Sequence, residues 1–190
     1  MTKNDFLMHH GVKGQKWGVR RYQNKDGSLT PEGRQRRTAR NRAVSAYKTK
    51  PMVDEIISTM SKDEKEKLGL HESGEYLTLE DGASVVKRVL IKDGDTPVSF
   101  FDIFDDDDHY NLAIGTRSEK EYRGKGYATE AAKRGMDYYE KNKDRLGDKP
   151  IIWGVRKDNE PSIKIAKSLG FELDETSYSD DDQWVNYVRK

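Results

Sequence analysis

The sequence predicts an α/β chain of the α+β type. Its centre is a mixed, mostly antiparallel sheet flanked by helices, and a flexible basic arm precedes it. Three observations carry this. Two segments rich in β-branched and aromatic residues, 85–91 and 98–104, flank a tight-turn signal and imply a hairpin. Helical and strand patterns alternate only in the middle of the chain, so the sheet is not doubly wound. Residues 1–50 hold 13 Lys and Arg against 3 Asp and Glu, a net of +10, whereas the other 140 hold 22 against 31, a net of −9. That split predicts a basic arm over 1–50 and an acidic body over 51–190.

The elements follow in order. Residues 1–30 show no sustained period and read as loop or disorder, with a turn at Asn24-Lys25-Asp26-Gly27. Thr30 is placed as an N-cap and Pro31 as the first helical residue, which predicts a basic helix over about 31–47. Pro51 is expected to end the arm. Met52, Ile56, Ile57 and Met60 recur at helical spacing beyond it. Ser61 followed by Glu64 resembles a capping box for a short helix ending near Gly69. His71 to Gly74 read as loop.

Strands are expected at 85–91 and 98–104 around Lys92-Asp93-Gly94-Asp95, then at 110–116. A helix over 127–142 places Ala128, Ala131, Ala132, Met136 and Tyr139 on one face. Ile151 to Val155 read as a short buried strand. Pro161 and Gly170 bracket a last helix. Strands at 171–173 and 184–188 close the sheet.

Composition excludes several classes. The chain has no cysteine, so disulfides, thiolate nucleophiles and cysteine zinc sites are ruled out. No apolar run approaches the roughly 20 residues of a bilayer span, and the N-terminus lacks the apolar stretch of a secretory signal. A cytoplasmic protein without membrane contact is expected.

The strongest chemical signal is a strand, then Arg123-Gly124-Lys125-Gly126-Tyr127-Ala128, then a helix. Glycines let the backbone approach a ligand, and a helix start offers unpaired N–H groups and a positive dipole end. Arg123 and Lys125 add charge. A turn that needs glycine for geometry alone would look the same. Neither a P-loop nor a Gly-x-Gly-x-x-Gly fingerprint is present.

The block Glu121-Tyr122-Arg123-Gly124-Lys125-Gly126-Tyr127-Ala128 resembles the cofactor loop of the GNAT superfamily of N-acyltransferases, pattern Gln/Arg-x-x-Gly-x-Gly/Ala. Glu121 departs from it at the first position. A second block agrees: Asn159, a short helix, then Leu169-Gly170-Phe171. The resemblance covers about 52–190. It implies acetyl-CoA as cofactor, with its pyrophosphate on the loop amides. It implies an amine acceptor on a small molecule, a protein lysine or a protein N-terminus. Ser118, Arg123, Gly124, Lys125, Gly126, Tyr127, Ala128 and Asn159 are the cofactor-binding residues so implied. Cofactor and acceptor would meet where the strand near Arg117 and Ser118 splays from that near Trp153 and Gly154, and a backbone N–H would polarise the thioester carbonyl. Many members carry a Tyr general acid where this chain has Ala166.

Other candidates are weak. Asp102, Glu119 and Glu121 lie near the expected cleft as candidate bases, each reading first as a solvated surface carboxylate; Glu119, Glu121 and Ser118 are the catalytic candidates, and no catalytic role is assigned. Asp105 to Asp108 with His109, and Asp180 to Asp182, read as acidic turns; they could attract a cationic acceptor, and no metal site is expected. His9 and His10 read as a polar tail. Trp17 among bases suits a docking peptide or a nucleic-acid contact. The block 9–22 resembles a short element on proteins encoded beside phage head genes. That suggests contact with a capsid or its nucleic acid, and a host cytoplasm or virion as location. The alternative to an enzyme is a phage-associated structural or binding protein on an idle GNAT fold.

Overall fold

The structure is a computed structural model that describes residues 22–68, 84–106, 108–147, 149–175 and 183–189. Two compact units divide between Arg40 and Asn41.

In the first unit, the turn at 24–27 closes with Gly27 at φ 83° and an Asn24 N–H bond to Ser28 O of 2.7 Å. Thr30 caps helix α1: its Oγ1 accepts from Gly33 N at 3.1 Å. Gly33 has no room for a side chain, because a Cβ there would overlap the carbonyl and Cβ of Tyr22.

The helix α1 runs over Pro31–Ser58, with Pro51 inside it. The expected stop near residue 47 is therefore corrected. Proline removes one helical bond and crowds the preceding turn, at a cost of about 3 kcal/mol. Beyond it Val53, Ile56, Ile57 and Met60 are buried against Phe100. Each such side chain contributes about 1.5–3 kcal/mol, so packing outweighs the proline. Helix α2, Lys62–Lys67, opens on the Ser61–Glu64 capping box. The expected stop at Gly69 and the loop at His71 to Gly74 lie outside the described residues.

The strands are β1 (Val85–Asp93), β2 (Thr96–Asp105), β3 (Tyr110–Thr116), β4 (Ile151–Arg156), β5 (Glu172–Leu173) and β6 (Trp184–Arg189). They form one sheet in the order β1-β2-β3-β4-β6-β5. All neighbours are antiparallel except β3 and β4. Gly94, at φ 59°, makes the β1–β2 turn, and β1 carries two register shifts, between Val85 and Lys87 and between Ile91 and Lys92.

Consecutive strand residues face opposite sides. Phe100 therefore meets the apolar face of α1, while Phe101 enters the larger core beneath helix α3 (Tyr127–Leu146). That core holds Trp153, stacked edge-on against Phe101 and Phe171 with ring centres 5.7 and 5.6 Å apart. The buried face of α3 is Ala131, Ala132, Gly135, Met136 and Tyr139. Ala128 is only half-buried, and Gly135 joins the face instead. Helix α4, Glu160–Ser168, is capped by Asn159, and Gly170 at φ 81° follows its end.

Candidate functional site

Strands β3 and β4 pair only at Tyr110–Ile151 and Asn111–Ile152. Beyond these positions β3 stays with β2 as far as Ser99–Thr116, and β4 stays with β6 as far as Arg156–Trp184. The two halves of the sheet thus part toward the C-terminal ends of both strands.

Amides along a strand point alternately to either side. Tyr110 N donates toward β4, to Pro150 O at 2.8 Å, and Arg117 N toward β2, to Val98 O at 2.9 Å. Even-numbered amides of β3 therefore face β4. The N–H groups of Ile114 and Thr116 point into the parted space. Ser118 N, next in that series, is occupied by Thr59 Oγ1 at 3.1 Å.

The chain then turns through 117–126 into α3. Gly124 and Gly126 stand at φ 72° and 80°, the left-handed region that favours glycine, with open space where a Cβ would lie. No side chain caps α3 at Gly126. The first helical bond of α3 is Glu130 N to Gly126 O, so the amides of Tyr127, Ala128 and Thr129 have no helical acceptor. This end of a 20-residue helix is suited to an anion. Lys125 lies 3.6 Å from Asp93, and the Tyr127 hydroxyl donates to the same carboxylate at 2.6 Å. That bond holds the Tyr127 phenol above its usual range and Asp93 below its own.

Arg123 Nε donates to Ser118 O at 2.6 Å and its Nη2 to Glu64 Oε1 at 2.6 Å. The Ser118 hydroxyl donates to Glu64 Oε2 at 2.7 Å. The sequence assigned Glu64 to a helix cap and missed its place beside the loop. Burial pushes the Glu64 carboxyl up, and the bonds from Ser118 and Ser61 outweigh it and hold the group low.

The remaining expected residues are less favourably placed. Asp102 is no surface carboxylate: it is fully buried and bound by Arg88 through Nε and Nη2 at 2.8 and 2.6 Å. Arg88 also donates to Ala46 O and Thr49 Oγ1, so the pair ties β1, β2 and α1 together. Glu119 is gripped by Arg117 at 2.8 Å, which holds it below the usual carboxylate range. Glu121 is exposed. Asn159 Oδ1 accepts from Ser162 N at 3.4 Å. Ala166 is fully buried. Among the described residues, no group of three or more acids and histidines could hold a metal ion, and no helix is long and apolar enough to cross a membrane.

The model of the acetyltransferase (GNAT) domain matches residues 16–172, and that of a family of unknown function matches residues 2–24. No curated protein matches the chain. Among solved structures, the GNAT domain of S. lividans PAT is 14% identical over 75% of this chain and 85% of its own, with a TM-score of 0.53. An acetyltransferase of Agrobacterium tumefaciens str. C58 is 20% identical over 54% of this chain, with a TM-score of 0.45. Salmonella typhimurium yncA, solved with its cofactor acetyl-CoA, is 14% identical over 53% of this chain, with a TM-score of 0.40. This chain spans 60% of the Agrobacterium protein and 61% of yncA.

Proposed function

The chain belongs to the GNAT acetyltransferase family, and from that premise we propose that it is an acetyl-CoA-dependent N-acetyltransferase acting on an amine. The acceptor is borne by a small molecule, a protein lysine or a protein N-terminus. One observation carries the reading. The parting of β3 from β4 lies at the same end of the sheet as the uncapped start of α3.

The loop fits the cofactor's pyrophosphate. The amides of Tyr127, Ala128 and Thr129 would donate to it, and Arg123 and Lys125 would offset its charge. Bound acetyl-CoA would supply the acetyl group as a thioester, whose carbonyl an amine can attack. The Ile114 and Thr116 N–H groups would donate to an oxygen held between the strands. Proton transfer is less provided for. Glu119 is committed to Arg117, Ser118 to Glu64, and Ala166 carries no proton to give. Positioning and backbone polarisation are then the main contributions of the protein.

Calorimetric titration with acetyl-CoA tests this, beside Gly126→Asp. Binding that the variant loses by more than about tenfold is expected, because a carboxylate would face the pyrophosphate at a strained left-handed position. Equal binding by the variant would overturn the site. No binding by the wild type would favour a structural or binding protein that works through its basic arm. The fixed carboxylates and Ala166 are what support that second reading.

A further inference from the structure

Helix α2 stands across the open ends of β3 and β4, fastened to both. On the β3 side Glu64 receives Arg123 and the Ser118 hydroxyl, and Thr59, just before α2, receives Ser118 N. On the β4 side Arg156 approaches Asp63 and Glu66, each at 3.9 Å, and Lys67 lies 3.4 Å from Asp158. None of the helix's own residues is buried; Met60 before it and Leu68 at its C-cap pack on the Phe100 cluster, and polar contacts hold the residues between. Glu64 is the most heavily engaged. Its Oε1 meets Arg123, while Oε2 meets Ser118 Oγ and the Ser61 amide.

A guanidinium and a hydroxyl converging on one carboxylate are also the partners a phosphate oxygen takes. Arg123 and Ser118 border the start of α3, where the anionic ligand is placed. We propose that Glu64 is an internal anion competing with the cofactor's pyrophosphate for Arg123 and Ser118, so that it sets the affinity of the loop and ties α2 across the parted strands until the ligand displaces it. The inference rests on the reading of that loop as a pyrophosphate site.

The physical case is an exchange of anions. A pyrophosphate that took Arg123 and Ser118 while Glu64 stayed in place would meet a like charge there. A displaced Glu64 re-enters water readily, since its side chain is already 31% exposed. The cations therefore change partner, and the cost of binding is the release of Glu64. Removing its charge should strengthen binding.

The test is calorimetric titration of the full chain with coenzyme A, comparing wild type, Glu64→Gln and Glu66→Gln. Glutamine at the third helical position still reaches back to the cap amide, so α2 keeps its start. Glu64→Gln is expected to bind about fivefold tighter, the scale of one partly exposed ion pair. Glu66→Gln removes the same charge from the same helix without touching Ser118 or Arg123, leaves the Asp63–Arg156 and Lys67–Asp158 contacts to hold the β4 side, and should bind as wild type does. Binding by Glu64→Gln that is unchanged or weaker, with a wild type that binds, would overturn the competition and leave the cofactor site standing. An equal gain in Glu66→Gln would overturn it too, by showing a general charge effect. No binding by wild type or by Glu64→Gln would overturn both the cofactor site and the competition. Amide exchange gives a second readout. Coenzyme A should speed exchange at the Lys65 and Leu68 amides of the wild type; unchanged or slower exchange would count against the displacement.

Discussion

Asp102 and Arg88 form an ion pair with almost no access to water, their side chains 0% and 5% exposed. Neutralising one partner strands the other charge in the interior, which costs about 3–5 kcal/mol. Asp102→Asn should therefore lower unfolding stability by that amount in a denaturant titration. A loss under about 1 kcal/mol would mean the pair is not structural. This pairing was not legible: the sequence reads Asp102 as a surface carboxylate. Counting straight back across the hairpin from Asp93 and Thr96 would set Arg88 opposite Phe101; the register shift between Ile91 and Lys92 puts Asp102 there instead, as a cross-strand partner. That one shift hides the pair in the bare sequence. Glu64 was illegible in a different way. Its capping role accounts for the residue locally, and nothing local announces Ser118, 54 positions away.

At the scale of elements, apolar period and turn chemistry located the hairpin, β3 and α3 to within a few residues. Pro51 was misjudged because propensity is a local quantity, and the burial of Val53 and Ile56 that overrides it is not. Gly135 poses the same conflict inside α3. Helix propensity alone favours alanine there by about 1 kcal/mol. Yet a Cβ at that position would overlap the ring of Phe101, which is fully buried and has nowhere to move. Overpacking of this kind costs about 1–3 kcal/mol. Gly135→Ala should thus destabilise the protein overall, read as a lower denaturation midpoint; a rise would show that the ring can yield.

Taken whole, the molecule carries carboxylates held below their ordinary values by hydrogen bonds: Asp26 from Ser28 and Asp93 from Tyr127, each from 3.8, and Glu119 from Arg117, from 4.5. A carboxyl depressed in the folded state stabilises above its unfolded value and loses that contribution as pH falls through the folded one. The Tm should be level down to about pH 5 and decline below about pH 4, and a Tm that climbs on acidification would contradict these contacts. The mixed sheet read from the sequence is the sheet observed. The parting of β3 from β4 depends on which neighbours each strand keeps, and no single segment encodes it. The borders of the sheet carry a last consequence. β1 ends the order on one side, and its nine residues are interrupted by two register shifts; β5 ends the other and is two residues long. A strand from a neighbouring molecule would find no straight run of free backbone groups on either. Neither border among the described strands thus offers a ready template on which a second copy could extend the sheet.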